Sequence, residues 1–412
     1  MSADRLTLED LLTHCAAGGG SALQVTTELA PAGGFGAVIS PARVVERNDA
    51  TYAFERRLHV DPESGAMEAA WHVVVDSKQS VSNRDEAAVV RARQDETSET
   101  GAALRLVPTI QVSYSDITLS DLELPHRFAD AHVRAGSRDG EPVTKDPEYV
   151  AARNANANNA RALLETAPTS LLYGAWDSTR KARQGRYPTC LTGEVIGMVA
   201  DQDRDPRTAM NRRAGARVDP VAASVRPDEK TVKALVEDQK DELSPKLQEK
   251  ILTEAKKNGA KGSSMSTLGF GNVPPSLEGL GGIACTFITR RRVLSFAALR
   301  QLRFGGSVEA DVACRALLAA YGLLAMTLSD QELYLRANCE LVEKAAPQLS
   351  IDLRHGQSKG LEPLDEEAAV ALFRQALEHA QKVAGIRWEG QVLEVQGNES
   401  IRGAASADEP EE

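Results

Sequence analysis

Residues 71–86 read WHVVVDSKQSVSNRDE, a sequence in which a strand leads directly into a helix. The apolar run Trp71–Val75 predicts the strand, and Ser82 and Asp85 have the spacing of a capping box, which predicts a helix over 83–94. Backbone N–H groups at a helix N-terminus attract anions, and polar side chains beside them add donors to a phosphate. The donors at this junction are Ser77, Lys78, Gln79, Ser80, Asn83 and Arg84. The junction therefore indicates either a phosphate site or a capped helix whose charges are only solvated.

Strands and helices alternate along the rest of the chain. Periodicity and capping residues predict helices over 7–17, 148–165, 227–257 with a break near Pro245, 309–328 and 365–384. Strands are predicted over 23–29, 104–112, 170–176, 190–199, 283–289, 293–296, 333–337, 349–353 and 392–395. This order favours an α+β fold with a split βαβ core over a doubly wound sheet. We expect one domain over 1–402 with polar insertions at about 113–166 and 200–280, followed by a disordered acidic tail over 403–412.

The composition is typical of a globular protein without a membrane segment. Of the 412 residues, 42% are hydrophobic and 26% charged, and 59 acidic against 48 basic residues give a net charge of −11. The longest apolar stretch, 316–328, is too short to cross a bilayer, and the acidic N-terminus is unlike a signal peptide. The five cysteines are dispersed without a CxxC pair, which is typical of reduced core residues. We therefore expect a cytoplasmic protein without a membrane partner.

Basic residues are nevertheless concentrated in two segments. Residues 178–186 contain no acidic side chain and four basic ones, Arg180, Lys181, Arg183 and Arg186. A glycine-rich stretch over 268–282 is followed by Arg290, Arg291 and Arg292. Glycines let a backbone approach a ligand closely, and arginines contact phosphate groups. These segments indicate either parts of a basic groove or mobile surface loops with solvated charges.

Motifs for catalysis or metal binding are sparse. The chain has no Walker A loop, no HExxH and no GxGxxG that enters a helix. The sequence GQSKG around Ser358 matches the G-x-S-x-G pattern of a hydrolase elbow, but Pro363 delays the helix that such an elbow requires. His126, Asp130 and His132 lie close in sequence, yet only the first two would share a helix face, which favours polar surface over a metal site. We expect neither a metal nor a cofactor.

Three stretches resemble one protein family and occur in the order expected for it. They are VVVDSKQSVSNRDE at Val73, SLLYGAWDS at Ser170 and GFGNVPPSLEGLGGIACTFITRRRVLSFAALRQLRF from Gly269. The chain is thereby similar to the RAMP-type backbone subunit, Cas family seven, of type I-G (formerly I-U) CRISPR Cascade complexes. The resemblance extends over roughly residues 23–304 and is weaker afterwards. Its D-S-x-Q-S-x-x-N-R pattern is specific, whereas the glycine-rich loop is shared by many RAMP proteins.

The resemblance implies an RRM-like, ferredoxin-like palm with long inserted finger and thumb elements, and a non-catalytic role in antiviral defence. Copies of such a subunit stack in a helix along a guide RNA (crRNA) and present its bases to target DNA. Their partners are other Cascade subunits, including the guide-processing and large subunits. The basic and polar residues named above over 77–84, 180–186 and 290–292 would then hold the guide.

An RNP1 motif of stacking aromatic residues is absent from the sequence, which favours recognition of the RNA backbone over base recognition. The residues alone leave two other functions open. One is a serine hydrolase using Ser358, and the other is a protein-only scaffold whose basic segments bind acidic partner surfaces.

Overall fold

The computed structural model describes residues 4–46, 49–60, 65–181, 185–207, 213–215, 227–258, 276–278 and 281–401. Contacts within the chain divide it into two compact units. Unit 1 comprises Met1–Ala209 and Gly282–Ile401, and unit 2 comprises Met210–Gly281 with Arg402–Glu412. The tail over 403–412 and most of the glycine-rich stretch over 268–282 lie outside the described residues.

Helices and strands alternate through the described part of the chain. The helices are α1 (Leu8–Cys15), α2 (Lys78–Gln94), α3 (Glu99–Leu104), α4 (Ala131–Arg134), α5 (Pro147–Asn154), α6 (Arg161–Leu164), α7 (Thr169–Leu172), α8 (Glu229–Asp238), α9 (Pro245–Asn258), α10 (Phe296–Leu299), α11 (Val308–Glu332) and α12 (Glu366–Ala384). The strands are β1 (Ala22–Pro31), β2 (Val44–Glu46), β3 (Asp49–Thr51), β4 (Phe54–Val60), β5 (Met67–Asp76), β6 (Thr109–Ser113), β7 (Thr118–Ser120), β8 (Ser137–Arg138), β9 (Glu141–Pro142), β10 (Ala175–Trp176), β11 (Arg186–Tyr187), β12 (Leu191–Val199), β13 (Arg213–Gly215), β14 (Ser276–Glu278), β15 (Cys285–Ser295), β16 (Leu341–Glu343), β17 (Gln348–Arg354), β18 (Gln357–Leu361) and β19 (Val392–Gln396).

The main sheet of unit 1 has the strand order β18-β17-β1-β15-β12-β5-β4, with β16 added beside β1. Its strand pairs are antiparallel. Along the chain, β1, α2, β12, β15, α11 and β17 occur in this order, as strand, helix, strand, strand, helix and strand, with other elements between them. The hairpin of β4 and β5 extends the sheet beyond β12, and β5 leads directly into α2. The architecture is α+β, as the sequence predicts.

Alternating burial gives the main sheet a core face and a more open face. On β1, Leu23, Val25 and Leu29 are buried, whereas Gln24 and Thr26 between them are exposed. The partners of the buried residues on β15 are buried as well. Because side chains alternate along a strand, the polar residues between them lie on the opposite face.

The core face packs against α2 and α11, and α12 packs on α11. Helix α11 is rich in Ala and Leu and is buried along nearly all of its length, so its prediction as a core helix over 309–328 is confirmed. It is long and apolar enough to cross a membrane by length and composition alone, but 94% of its apolar window is buried inside the fold.

A smaller sheet in unit 1 has the order β7-β6-β19-β8-β9, and β19 runs parallel to β6. Phe128, Tyr149 and Leu163, from the first expected insertion, are buried in the core cluster of unit 1. In unit 2, α8 and α9 pack through an apolar cluster that includes Val232 and Ile251. The predicted break at Pro245 is confirmed, because that residue begins α9.

The start of α2 differs from the sequence prediction for a local reason. The helix begins at Lys78, because the side chain of Ser77 accepts a hydrogen bond from the backbone N–H of Ser80 at 3.3 Å. Ser82 lies inside the helix and donates to the carbonyl oxygen of Lys78 at 3.1 Å. The expected capping box of Ser82 and Asp85 is therefore wrong.

Other short apolar runs were ambiguous between helix and strand, as such runs are. Part of the predicted strand over 170–176 is the helix α7, and the predicted strand over 104–112 begins only at Thr109, because Ser98 caps a helix that ends at Leu104. The predicted strand over 333–337 is absent, since Leu333 ends α11 in a left-handed conformation with φ of 43°. The predicted helix over 148–165 is interrupted between α5 and α6.

The strands predicted over 23–29, 71–75, 190–199, 349–353 and 392–395 are confirmed, and those over 283–289 and 293–296 form the single strand β15.

Candidate functional site

A groove of about 750 Å³ lies beside the N-terminal half of α2 in unit 1. It is lined by α2, by residues 122–125 and by residues of the segments around Arg127, Tyr173 and Thr189. Three of the predicted phosphate donors, Lys78, Gln79 and Asn83, line this groove and are exposed. Gln79 and Asn83 are four positions apart, which places them on the same face of α2.

The other donors of the junction have different positions. Ser77 serves as the helix cap, so its hydroxyl oxygen already accepts a hydrogen bond. Ser80 and Arg84 line a second cleft of about 410 Å³, which Asn83 also borders together with Tyr334. Asn83 therefore borders both the groove and the second cleft.

The base of the groove is a buried ion pair between Glu86 and Arg127. Arg127 donates from Nε to Oε1 of Glu86 at 2.5 Å and from Nη2 to Oε2 at 2.8 Å, and its Nη1 donates to the carbonyl oxygen of Gly174 at 2.9 Å. Burial raises the pKa of Glu86 to about 7, against the opposing effect of the hydrogen bonds from Arg127. The pair satisfies both charges internally, which leaves Lys78 as the exposed basic side chain among the residues that line the groove. No local sequence pattern links Glu86 to Arg127, so the sequence did not reveal this pair.

Arg84 does not offer an open guanidinium group, contrary to expectation. Its Nε donates to Oδ2 of Asp76 at 2.8 Å and its Nη2 to Oδ1 at 3.2 Å. Its Nη1 donates to the carbonyl oxygen of Tyr334 at 2.7 Å. Only 3% of the Asp76 side chain is exposed. Arg84 therefore ties the end of β5 to α2 and to the segment after α11.

The three consecutive arginines of β15 do not form a single surface patch. Arg290 and Arg292 are each 3% exposed on the core face, whereas Arg291 is exposed on the open face. Arg290 donates from Nη2 to Oε1 of Glu343 at 2.6 Å and from Nη1 to the carbonyl oxygen of Asp330 at 3.1 Å. The expectation of one patch is wrong because neighbouring side chains on a strand point to opposite faces.

Arg292 is enclosed between two acidic side chains. Its Nη2 lies 3.0 Å from Oδ1 of Asp85, and its Nε donates to Oδ1 of Asp330 at 3.0 Å. Gly193 leaves room for this side chain, since a Cβ atom there would lie 2.5 Å from Cδ of Arg292. Burial raises the pKa of Tyr173, whose hydroxyl donates to Oδ2 of Asp85 at 3.2 Å.

On the open face of the sheet, the charges of Arg291 and Lys78 both act on Glu194 of β12, although the three residues are far apart in sequence. Arg291 is the register partner of Glu194 on β12, and Arg57 donates from Nη2 to Oε2 of Glu194 at 2.9 Å. This hydrogen bonding lowers the pKa of Glu194, and the charges of Lys78 and Arg291 act in the same direction. One carboxylate therefore lies among three basic side chains, of which Lys78 also lines the groove.

The basic segment over 178–186 also contains both hydrogen-bonded and exposed basic side chains. Arg180 donates from Nη1 to the carbonyl oxygen of Arg153 and from Nη2 to Oδ1 of Asn154, both at 2.8 Å. Lys181 is exposed, and Arg183 lies outside the described residues. Arg186 is exposed and lies over the ring of Trp176, with 5.4 Å between its Cζ and the ring centroid.

The sequence motifs for other chemistry have ordinary structural positions. Ser358 is exposed on β18 opposite Asp352, in a β-hairpin rather than at a strand-to-helix elbow. Asp130 caps α4, and Nδ1 of His132 lies 2.5 Å from the hydroxyl of Tyr114. Among the residues that the structure describes, no group of His, Cys, Asp and Glu has an arrangement that could hold a metal ion.

Comparison with known proteins connects this region of the chain to one family. No curated protein matches the chain. Residues 23–202 match the family model described as CRISPR-associated protein GSU0053. The matched segment contains β1 except its first residue, all of α2 and every residue that lines the groove. The match supports a CRISPR-associated protein and thus a role for the chain in a CRISPR system.

Proposed function

We propose that the chain is the non-catalytic, guide-RNA-binding backbone subunit of a type I-G CRISPR Cascade complex. The observation that carries this proposal is the groove beside α2, in which Lys78, Gln79 and Asn83 present exposed donors. The groove lies within the segment that matches the CRISPR-associated family. No observation favours the hydrolase or the protein-only scaffold.

The order of elements supports an RRM-like palm of the RAMP type. The sequence of strand, helix, strand, strand, helix and strand formed by β1, α2, β12, β15, α11 and β17 is that of a ferredoxin-like split βαβ fold. In this proposal the polar insertions act as finger and thumb. Copies of the chain stack along the guide in the cytoplasm, with the guide-processing and large subunits as further partners.

The chemistry of the groove suits the backbone of RNA better than its bases. A lysine ammonium and two side-chain amides donate hydrogen bonds to phosphate oxygens without regard to sequence. At the floor of the groove, the guanidinium of Arg127 donates two hydrogen bonds to Glu86 and is thereby engaged within the protein. Contacts of the groove with the RNA backbone leave the bases that lie in the groove free to pair with target DNA.

Purification of the assembled complex and sequencing of its RNA test the proposal. The wild-type chain should copurify with guide RNA, and the triple variant Lys78→Ala/Gln79→Ala/Asn83→Ala should retain much less of it. Lys382→Ala removes an exposed lysine from α12, outside the groove, and serves as the matched control. A wild-type complex without RNA, or a triple variant that retains as much RNA as the control, would refute the proposal.

A further inference from the structure

The hairpin of β10 and β11 exposes one tryptophan more than the other two tryptophans are exposed. Trp176 is 55% exposed, Trp388 is fully buried and Trp71 is half-buried. Trp176 and Arg186 are register partners across the hairpin, so their side chains share a face. The guanidinium of Arg186 lies over the indole ring with its Cζ 5.4 Å from the centroid.

The base of this hairpin is firmly held. Directly after Trp176, the backbone N–H of Asp177 donates to the carbonyl oxygen of Gly185 at 2.9 Å. The side chain of Asp177 is 1% exposed and accepts a hydrogen bond from Nε of Arg153 at 2.7 Å. Tyr187, next to Arg186, is buried. An exposed indole on such a support is held in place before any ligand arrives, which reduces the entropy lost on binding.

The hairpin continues directly from the groove. Tyr173, two residues before β10, and Thr189, two residues after β11, both line the groove. Arg127 at the base of the groove holds the carbonyl oxygen of Gly174, the residue between Tyr173 and the hairpin. Trp176 is thus three residues after one side chain that lines the groove, and Arg186 is three residues before another.

We infer that Trp176 and Arg186 form a stacking site for one base of single-stranded RNA, an inference that rests on the proposed function. The indole supplies a flat apolar surface for the base, and the guanidinium supplies positive charge for the adjoining phosphate. Every base has a π-face, so such a site tolerates any sequence, and aromatic stacking of this kind is common in proteins that bind single strands.

Binding of two oligonucleotides to the full chain tests this site. The probes are an oligouridylate of about 12 nucleotides and an abasic strand of the same length. Trp176→Ala should weaken binding of the oligouridylate roughly 5- to 100-fold, in line with the value of one stacked base, and should leave binding of the abasic strand unchanged. Trp176→Phe should retain most of the affinity. Phe35→Ala, which removes another exposed aromatic ring, is the matched control.

Fluorescence gives a second readout. The wild-type indole emission should be quenched by the oligouridylate but not by the abasic strand, and this quenching should disappear in Trp176→Phe. Equal affinity of Trp176→Ala and the wild type for the oligouridylate would overturn the stacking site while the proposed function stands. An equal loss for both strands would also overturn it, because the ring would then contact only the backbone. Absence of RNA binding by the wild-type chain would overturn the proposed function and this site with it.

Discussion

Arg292 and Asp85, which are 207 residues apart in the chain, form a buried ion pair with 3.0 Å between Nη2 and Oδ1. Arg292 also donates from Nε to Asp330 near the end of α11. The guanidinium thus joins α2, β15 and α11 at one point in the core. Its neighbour Arg291 lies on the other face of the same strand and is exposed. Adjacent arginines of identical chemistry therefore have different roles.

Because one arginine is buried and the other exposed, their substitution should change the free energy of unfolding by different amounts. Arg292→Met leaves Asp85 and Asp330 without their shared cation, and we expect a loss of about 3–5 kcal/mol in the free energy of unfolding. Arg291→Met removes an exposed charge and should change this free energy by no more than about 0.5 kcal/mol. Urea unfolding of both variants measures the difference. Equal midpoints for the two variants would show that the buried pair is not needed for folding.

Arg84 and Lys78 should separate folding from RNA binding. Arg84→Ala leaves the buried Asp76 without its main partner, and we expect it to cost about 1–3 kcal/mol of stability. Lys78→Ala should cost less than about 1 kcal/mol of stability, because the side chain is exposed, yet weaken RNA binding by about 1.5–3 kcal/mol.

A thermal melt beside a filter-binding titration reads both effects of each change. The proposal for the groove fails if Lys78→Ala binds RNA like the wild type. The structural role of Arg84 fails if Arg84→Ala melts like the wild type.

The differences between sequence and structure have both local and long-range causes. Ser82 and Asp85 have the spacing of a capping box, but Asp85 meets Arg292 on a strand that the local pattern does not include. The roles of Arg290, Arg291 and Arg292 follow from the two-residue period of a strand. That period was hidden because the sequence suggested two strands over 283–289 and 293–296 instead of the continuous β15.

Elements with strong local signals were predicted well. The Ala- and Leu-rich run of α11 has its expected structure, and the helix predicted over 7–17 forms as α1, which a capping box of Thr7 and Asp10 begins. The exposed donors Lys78, Gln79 and Asn83 were also identified, since a strand that leads into a helix places them at a turn regardless of the remaining fold. Trp176 was missed because its exposure depends on a hairpin of only two residues per strand.

RNA binding should depend on salt to an extent set by the exposed basic residues. If Lys78, Lys181, Arg186 and Arg291 each neutralise one phosphate, the slope of log affinity against log salt should be roughly −3. An increase from about 50 to 200 mM salt should then weaken binding roughly 50-fold. Fluorescence anisotropy at several salt concentrations measures this slope. A slope near zero would contradict binding through phosphate contacts.

Ser358 should be dispensable for the function of the complex. Its hydroxyl stands on β18, where the turn at Gly356 joins two strands rather than a strand and a helix, so the geometry that activates a hydrolase serine is absent at this site. We expect Ser358→Ala to retain plasmid interference, and the wild-type chain to remain unlabelled by a fluorophosphonate probe. Labelling of the wild type that disappears in Ser358→Ala would instead support a serine hydrolase that uses Ser358.

Asp121 should make the stability of unit 1 depend on pH. Its Oδ1 accepts a hydrogen bond from the backbone N–H of Ile110 at 3.0 Å, while Oδ2 is buried without a hydrogen-bond partner among the described residues. Burial raises the pKa of Asp121 to about 7, whereas an unfolded aspartic acid has a pKa near 3.9. Between these values the folded chain holds a proton that the unfolded chain has lost. The stabilisation is complete below about pH 4 and is lost as the pH rises through about 7.

The variant Asp121→Asn isolates this effect, because it cannot ionise at that position. The free energy of unfolding of the wild type, relative to the variant, should fall by up to about 1.4 kcal/mol per pH unit between about pH 5 and 7, and should be level above about pH 8. Urea unfolding at several pH values measures it. Glu367→Gln, an exposed change on α12, serves as the control. A constant difference for Asp121→Asn would mean that the Asp121 carboxyl group has the same pKa in the folded and unfolded chains, so that burial does not hold its proton.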